Sequence, residues 1–532
     1  MRVRVLLVIA LAVGGCGEVK NTPTDGGVDA PSDTPAITFR VANPTASVPL
    51  GGSNRVIVEI TRSGGFAGAV TVAAMDPPAG LSVTEATIPA DASRGEVLVS
   101  GAPPLTLGGM VSYTLLATGD GVDAQMVTLS NAPVTGRPGA LDTTFGPGTG
   151  LAAISLGADD SGAFHALDVI NGNVLAIGHG TGGLGATRMI AMRFTAAGVP
   201  DPTWNNGALV RSSFGGSSNQ TAQALATGQQ NDGRSIAIGD YDDATADIAL
   251  VRFSLTGGGG GADFGDGTGK SLVNLGGVEH VTDGLVLSSN QILAVGDLDG
   301  HYMIARMTSA GLLDTTFNTT GFVRTLLGAS SSAEAVTLDD RERLVVAGSF
   351  DAGNQRDLTV RRYAAAGALD GAFGTSGVLF DGPDSESAIS LVAVGDKLVL
   401  ASTAVTTSGT KLRLRRLLST GALDTGFGTQ GVADLTVAPG TEGRRAIVLP
   451  DGRIVVLAAA GNAALLIRFT ADGAVDTLFG TTGDGTVNLN IGDSGAPQTL
   501  SVYSDHLIVV GGGNQGGTPG PGTFAVVARM WM

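Results

Sequence analysis

A chain of 532 residues with 83 glycines, 15% charged side chains and a net charge of −17 is too long for one small domain. It is also too acidic to be built for nucleic acid or anionic membrane surfaces. Its one cysteine excludes a disulfide within the chain, and beyond the N-terminus no apolar run reaches the roughly 18 residues of a transmembrane helix.

Residues 1–16 read as an export signal: Arg2 and Arg4 form a positive start, Val5 to Val13 an apolar core, and Gly14, Gly15 and Cys16 the small residues at a cut. Val13-Gly-Gly-Cys16 resembles the bacterial lipoprotein signal, and the resemblance makes Cys16 the lipidated residue. An ordinary signal peptide with an incidental cysteine is the alternative. Gly17 stands where an Asp would resemble an inner-membrane retention signal, so the expected address is the outer membrane of a bacterial envelope. Residues 17–35, polar and rich in Pro, Gly and Asp, cannot bury enough surface to fold and read as a disordered tether. The spaced acids Asp25, Asp29 and Asp33 are read as solvated rather than as calcium ligands.

Residues 36–134 carry alternating runs at Val56–Ile60, Val70–Val72, Val97–Val99, Tyr113–Leu116 and Met126–Leu129, separated by turn signals such as Asp76-Pro77-Pro78. About seven short strands in that length is the pattern of a β-sandwich. Pro77 to Leu81 followed by a strand pair resembles bacterial immunoglobulin-like domains, although no Cys…Trp…Cys core is present. A spacer role is expected, with ligand binding as the alternative.

Residues 135–532 repeat one phrase. It reads Leu141-Asp-Thr-Thr-Phe145-Gly and returns around Phe317, Phe373, Phe427 and Phe479, with weaker copies at Trp204 and Phe264. The anchors step by 59, 60, 53, 56, 54 and 52 residues. An arginine precedes each new phrase at Arg193, Arg252, Arg306, Arg362, Arg416 and Arg468, and Arg529 ends the series. Each ends an alternating, strand-like run such as Leu358–Tyr363. In the fourth repeat the four runs are Gly321–Leu327, Ala335–Leu338, Leu344–Ala347 and Leu358–Tyr363. Dipeptides such as Asp232-Gly233 and Asp451-Gly452 mark hairpins elsewhere. A period this long fits one propeller blade better than a β-helix rung of about 20 residues.

The phrase, the hairpin and the closing arginine together resemble the delta-60 repeat family, over about residues 137–532. Its pattern is roughly G-x-L-D-x-x-F-G-x-x-G, then D-G-K-hydrophobic-x-hydrophobic-x-G, then a run ending in R-Y or R-F. The resemblance implies an all-β protein: a seven-bladed β-propeller over 135–532, preceded by the Ig-like β-sandwich of 36–134. Trp204 replaces Phe in the second copy and Gly261 replaces Asp in the third, so those blades are expected to close differently. The phrase is expected at the link between blades, with each aromatic a structural wedge burying roughly 1.5–3 kcal/mol of apolar surface. The recurrent Arg is a candidate partner for the Asp of the phrase. With no strand left over at the C-terminus, first and last blades should either abut or share strands.

Chemical motifs are sparse. His165, His179, His280, His301 and His506 fall at different phases, whereas a transition-metal site needs three or four ligands to converge. Gly178-His-Gly-Thr-Gly-Gly183 matches G-x-G-x-x-G by letter but lacks the following helix that cradles phosphate. Acidic loops at Asp240–Asp243 with Asp247, at Asp297–Asp299 and at Asp381–Glu386 have the oxygen chemistry Ca²⁺ takes, without EF-hand spacing. Solvated loops account for them. No cofactor, catalytic residue or metal ligand is assigned. The leading expectation is a surface-anchored, non-enzymatic binding or scaffold lipoprotein whose partner is a protein or glycan. An exported polysaccharide hydrolase or lyase and a structural envelope component are the alternatives. Carboxylates gathered with an Arg or His at the central channel would favour the hydrolase.

Overall fold

The computed structural model describes residues 34–532 apart from short gaps at 43, 45, 51–52, 107–108, 135, 157–160, 182–186, 216–220, 243–245, 462, 481, 491–496, 504–505 and 516–521. Among the described residues there is no α-helix; one 3-10 turn, Asn205–Gly207, interrupts an all-β chain. Among the described residues no helix is long and apolar enough to cross a membrane.

Two four-stranded sheets come first. One orders Ala36–Val41, Asn54–Ser63, Arg94–Gly101 and Leu81–Val83; the other orders Ala86–Ile88, Val70–Met75, Val111–Gly119 and Val122–Asn131. Alternation puts Val56, Val58 and Ile60 on one face of their strand, where they share a core with Val70, Val72, Val97 and Leu115. A parallel pair, Val48–Pro49 with Pro133–Val134, joins the beginning of this unit to its end.

Seven four-stranded antiparallel sheets follow. Their innermost strands are Ser161–Ile170, Thr221–Gln229, Glu279–Val286, Ser331–Leu338, Ser385–Val394, Thr441–Val448 and Pro497–Tyr503. Each packs on the next, and the last packs on the first, so the circuit is closed.

Sheet and sequence repeat are out of phase by one strand, which corrects the expected blade link. Phe322–Thr325 does not open the fourth sheet; it pairs with His301–Met307 as the outermost strand of the third. The phrase therefore lies inside each sheet, between its third and fourth strands. The local reason is visible around Asp314. Its N–H donates to the Arg306 carbonyl at 2.9 Å, and the Arg306 N–H donates to Gly321 O at 3.0 Å. That turn folds the chain back along the open edge of the arginine strand.

The same offset closes the circuit. Leu151–Ser155, which follows the first phrase, pairs with Gly522–Trp531 at the other end of the segment, Leu151 opposite Ala528. Strand sharing, of the two arrangements the sequence left open, is the one adopted.

The recurrent arginines and phrase aspartates meet. Nε–Oδ2 distances are 2.7 Å for Arg193–Asp201, 2.9 Å for Arg306–Asp314, 2.8 Å for Arg362–Asp370, 2.7 Å for Arg416–Asp424, 2.8 Å for Arg468–Asp476 and 2.7 Å for Arg529–Asp142. The same guanidinium lies 4.8 Å from the Phe ring in the 306–317, 416–427, 468–479 and 529–145 pairs, and 4.6 Å in 362–373. Its far nitrogen donates to a turn carbonyl of the next sheet: Arg306 to Ala365 and Arg362 to Ser419 at 2.6 Å, Arg416 to Ala471 at 2.7 Å, and Arg529 to Ala196. One side chain thus fastens its own turn and the neighbouring sheet.

The weak copies depart as their residues dictate. Lacking the aspartate, Arg252 donates to Gly260 O at 2.8 and 2.6 Å and reaches Asp263. Arg193 sits 6.0 Å from the larger Trp204 ring. Phe145, Trp204, Phe264, Phe317, Phe373, Phe427 and Phe479 are each buried in a different core cluster shared by two adjacent sheets. Phe317, for example, packs with Ile304 of one sheet and Val346 of the next.

The sandwich is braced against this ring. Arg55 Nε donates to Asp476 Oδ1 at 3.0 Å, and Arg94 donates to the Asp451 carbonyl. Asp476, wholly buried, thereby serves a phrase turn and the inter-unit contact together.

Candidate functional site

Every innermost strand carries a register shift at one equivalent place, where one residue has no partner on the next strand. The seven bulged residues are His165, Leu225, Thr282, Glu334, Ile389, Arg444 and Gln498. All seven line one cavity of about 280 Å³, joined there by Asp283, Arg445 and Thr499 among others. A bulge re-aims a side chain that the ladder would otherwise hold against a sheet face. Repeated round a closed circuit, it turns one residue from each sheet toward a common centre.

The bulge has a sequence requirement. In five of the seven sheets the residue opposite it is glycine: Gly178, Gly239, Gly296, Gly348 and Gly511. A Cβ at Gly178 would lie 1.9 Å from the Ala163 carbonyl oxygen, and one at Gly239 1.8 Å from Gln223 O. In those sheets the last glycine of the repeat's hairpin motif is explained by the close approach of two backbones. Ser402 and Ala458 take its place in the other two.

The cavity is charged unevenly round its circumference. Arg444 and Arg445 enter from the sixth sheet; Asp283 and Glu334 enter from the third and fourth. Arg445 spans the cavity to Asp283 Oδ1 at 3.5 Å, while Asp283 Oδ2 accepts the Val336 N–H at 3.0 Å. Glu334 Oε1 takes Arg356 at 3.0 Å, and Arg444 takes Glu442 at 3.0 Å. Burial pushes the Glu334 carboxyl up, against hydrogen bonds from Ser349 and the charge of Arg356.

The histidines, separate in sequence phase, are partly brought together. The first hairpin places His165 Nε2 2.6 Å from His179 Nδ1, with the rings stacked. Burial and then the His179 charge push His165 down to about 3, a hydrogen bond to Gln498 opposing, so the imidazole is neutral at ordinary pH. Among the described residues no three His, Cys, Asp or Glu side chains converge as a metal site.

The acidic loops are spent locally. Asp247 accepts Asn274 at 2.7 Å, Asp297 accepts the Gly300 N–H at 3.0 Å, and Glu386 is held by Arg413 and by both terminal nitrogens of Arg415. Gly178, His179 and Gly180 lie within the strand Asn173–Thr181, and the motif's last two glycines lie outside the described residues. So does Cys16. None of the seven aromatic anchors lines the cavity.

Sequence reasoning missed a second constant position as well. The residue at the start of each second strand, or immediately before it, is always a hydrogen-bond donor aimed at the phrase aspartate or its surrogate. Asn173, Gln291 and Lys397 reach Asp201, Asp314 and Asp424 at 3.4, 2.7 and 2.7 Å. Arg234, Arg343, Arg453 and His506 reach Asp263, Asp370, Asp476 and Asp142 at 3.2, 3.5, 3.7 and 3.2 Å. The lysine of the hairpin pattern is the signal that pointed there.

A family model described as "Domain of unknown function (DUF5122) beta-propeller" matches residues 343–373 and 449–479. Each stretch runs from the hairpin before a second strand to the aromatic anchor. This supports a β-propeller repeat protein. No curated protein matches the sequence. Among solved structures, prolyl oligopeptidase B from Galerina marginata, apo protein, is 9% identical with a TM-score of 0.40 over 69% of this chain and 49% of that one. The chain thus spans about half the length of that enzyme. A DUF4784 family protein from Bacteroides caccae is 11% identical with a TM-score of 0.25 over 85% of this chain and 98% of that one.

Proposed function

We propose that the chain is a seven-bladed β-propeller of delta-60 repeats carried behind an Ig-like sandwich, and that it is a non-enzymatic recognition protein of a bacterial envelope, lipid-anchored at Cys16. One observation carries the recognition role. The positions that hold the ring together repeat one chemistry, aspartate against arginine against aromatic ring. The bulge position holds seven different side chains: His165, Leu225, Thr282, Glu334, Ile389, Arg444 and Gln498. A position serving the scaffold alone would carry the scaffold's repetition; an uneven ring gives a bound molecule a defined orientation. Asp283 is engaged by Arg445 and the Val336 N–H, and Glu334 is engaged by Arg356 through Oε1. The test is ligand capture by the purified full chain on protein and glycan arrays. Binding that is lost when bulge residues are exchanged, with the melting temperature kept, supports the reading; binding indifferent to all seven exchanges refutes it.

A second reading, a polysaccharide hydrolase or lyase, is favoured by Asp283 and Glu334 sharing one cavity with arginines and a histidine, Glu334 having the raised pKa that a general acid needs. Reducing ends released from a polysaccharide panel by the unaltered protein but not by Glu334→Gln would establish it over binding alone.

A further inference from the structure

The cavity's charge arrangement narrows the ligand. Its cations come from one strand, Thr441–Val448 of the sixth sheet, and its anions from strands of the third and fourth. The only direct contact between the two walls among the described residues is Arg445–Asp283, and at 3.5 Å it is longer than the 2.7–2.9 Å of a well-formed charged hydrogen bond. Leu225 and Ile389 stand between the charged walls on either side. A volume of about 280 Å³ is at the low end for small-molecule sites.

A molecule entering must separate Arg445 from Asp283. An anion would pair Arg445 and strand Asp283; a cation would do the reverse. Either leaves an uncompensated charge in a partly desolvated site. The hydroxyls of a neutral sugar hydrogen-bond to both groups but compensate neither charge. A ligand with both charges, a few bonds apart, compensates both walls at once.

We propose that this cavity binds a small zwitterion of the α-amino-acid type, its carboxylate on Arg445 and Arg444 and its ammonium on Asp283 and Glu334. The proposal rests on the recognition reading above. The ligand replaces one long ion pair by two short ones, and its side chain lies against Leu225 or Ile389. His165, held neutral and engaged by His179, adds no third charge to the balance.

Calorimetric titration of the purified full chain with the individual free α-amino acids tests this. At least one should bind, and its N-acetyl and carboxamide derivatives should each bind about tenfold to a hundredfold more weakly, since each removes one charge. Asp283→Asn and Arg445→Gln should cause losses of the same size. The blocked derivatives decide the matter on the unaltered protein even where a variant misfolds. Equal binding of free and blocked forms, or no binding by any free amino acid, overturns the proposal. Capture of a neutral glycan that Arg445→Gln abolishes would also overturn it, while leaving recognition at this cavity standing.

Discussion

Replacing Arg416 with alanine removes three interactions at one seam. Its Nε bond to Asp424 is 2.7 Å, its bond to the Ala471 carbonyl of the next sheet is 2.7 Å, and its guanidinium lies 4.8 Å from the Phe427 ring. A hydrogen bond to a charged group contributes about 1.5–3 kcal/mol, and a cation over a ring about 0.5–2 kcal/mol. Lys397, 2.7 Å from Asp424, stays behind and keeps that carboxylate compensated, which limits the loss. The expected cost is about 3–5 kcal/mol. The control is Arg324→Ala, whose pair with Asp299 is 40% exposed on both sides and contributes about 0–1 kcal/mol. Arg416→Lys keeps the charge without the fork and should fall between them. Urea unfolding followed by circular dichroism reads the midpoint of the ring's transition, compared at equal slope because a chain of this length need not unfold in two states. An Arg416→Ala midpoint equal to that of Arg324→Ala would refute the idea that this arginine fastens the sheets.

Arg529 makes the same local contacts as Arg362 but across 387 residues, so Arg529→Ala should also loosen the closing strand. Limited proteolysis should cut within residues 141–155 faster in that variant than in Arg362→Ala. Arg55→Ala removes one cation from the buried Asp476 and should cost about 1.5–3 kcal/mol, with faster cleavage between sandwich and ring near residue 137. The carboxyls of Asp142, Asp314, Asp424 and Asp476 would be raised by burial, but Thr, Lys and Arg partners hold them below the usual 3.8. The stability they contribute is present above that value and lost as pH falls through their depressed folded values, so acid unfolding should set in below about pH 4. Glu279 runs the other way: burial pushes it up to about 7, so its contribution is full below 4.5 and fades as pH rises through 7. Glu279→Gln should flatten thermal stability between those limits, and an unchanged slope would contradict the assignment.

The repeat was legible because Asp, Arg and Phe make one contact in five of the seven copies, and identical contacts leave identical letters. The phase of the sheets was not, because the letters of Phe322–Thr325 do not say whether that strand pairs forward or backward; the edge left open by Arg306 decides it. The cavity was hidden for the opposite reason. His165, Leu225 and Thr282 share a place without sharing chemistry, and a bulge has no letter of its own. Only the glycine opposite it does, and Gly178, Gly239 and Gly296 looked like ordinary strand glycines. His165 and His179 are fourteen residues apart, a spacing that says nothing until the hairpin between them is known.

The strand Leu151–Ser155 has a mechanical consequence. A pull arriving through the sandwich enters the ring on the N-terminal side of this strand and loads it along its own axis against Gly522–Trp531. Ladder bonds run across the strands, so such a pull shears all of them together rather than peeling them singly. The Arg55–Asp476 contact diverts part of the force into the neighbouring sheet before it reaches the seam. A protein hung from its N-terminal end would then carry tension through the one place where its circle could open, and carry it in the direction in which that place resists most.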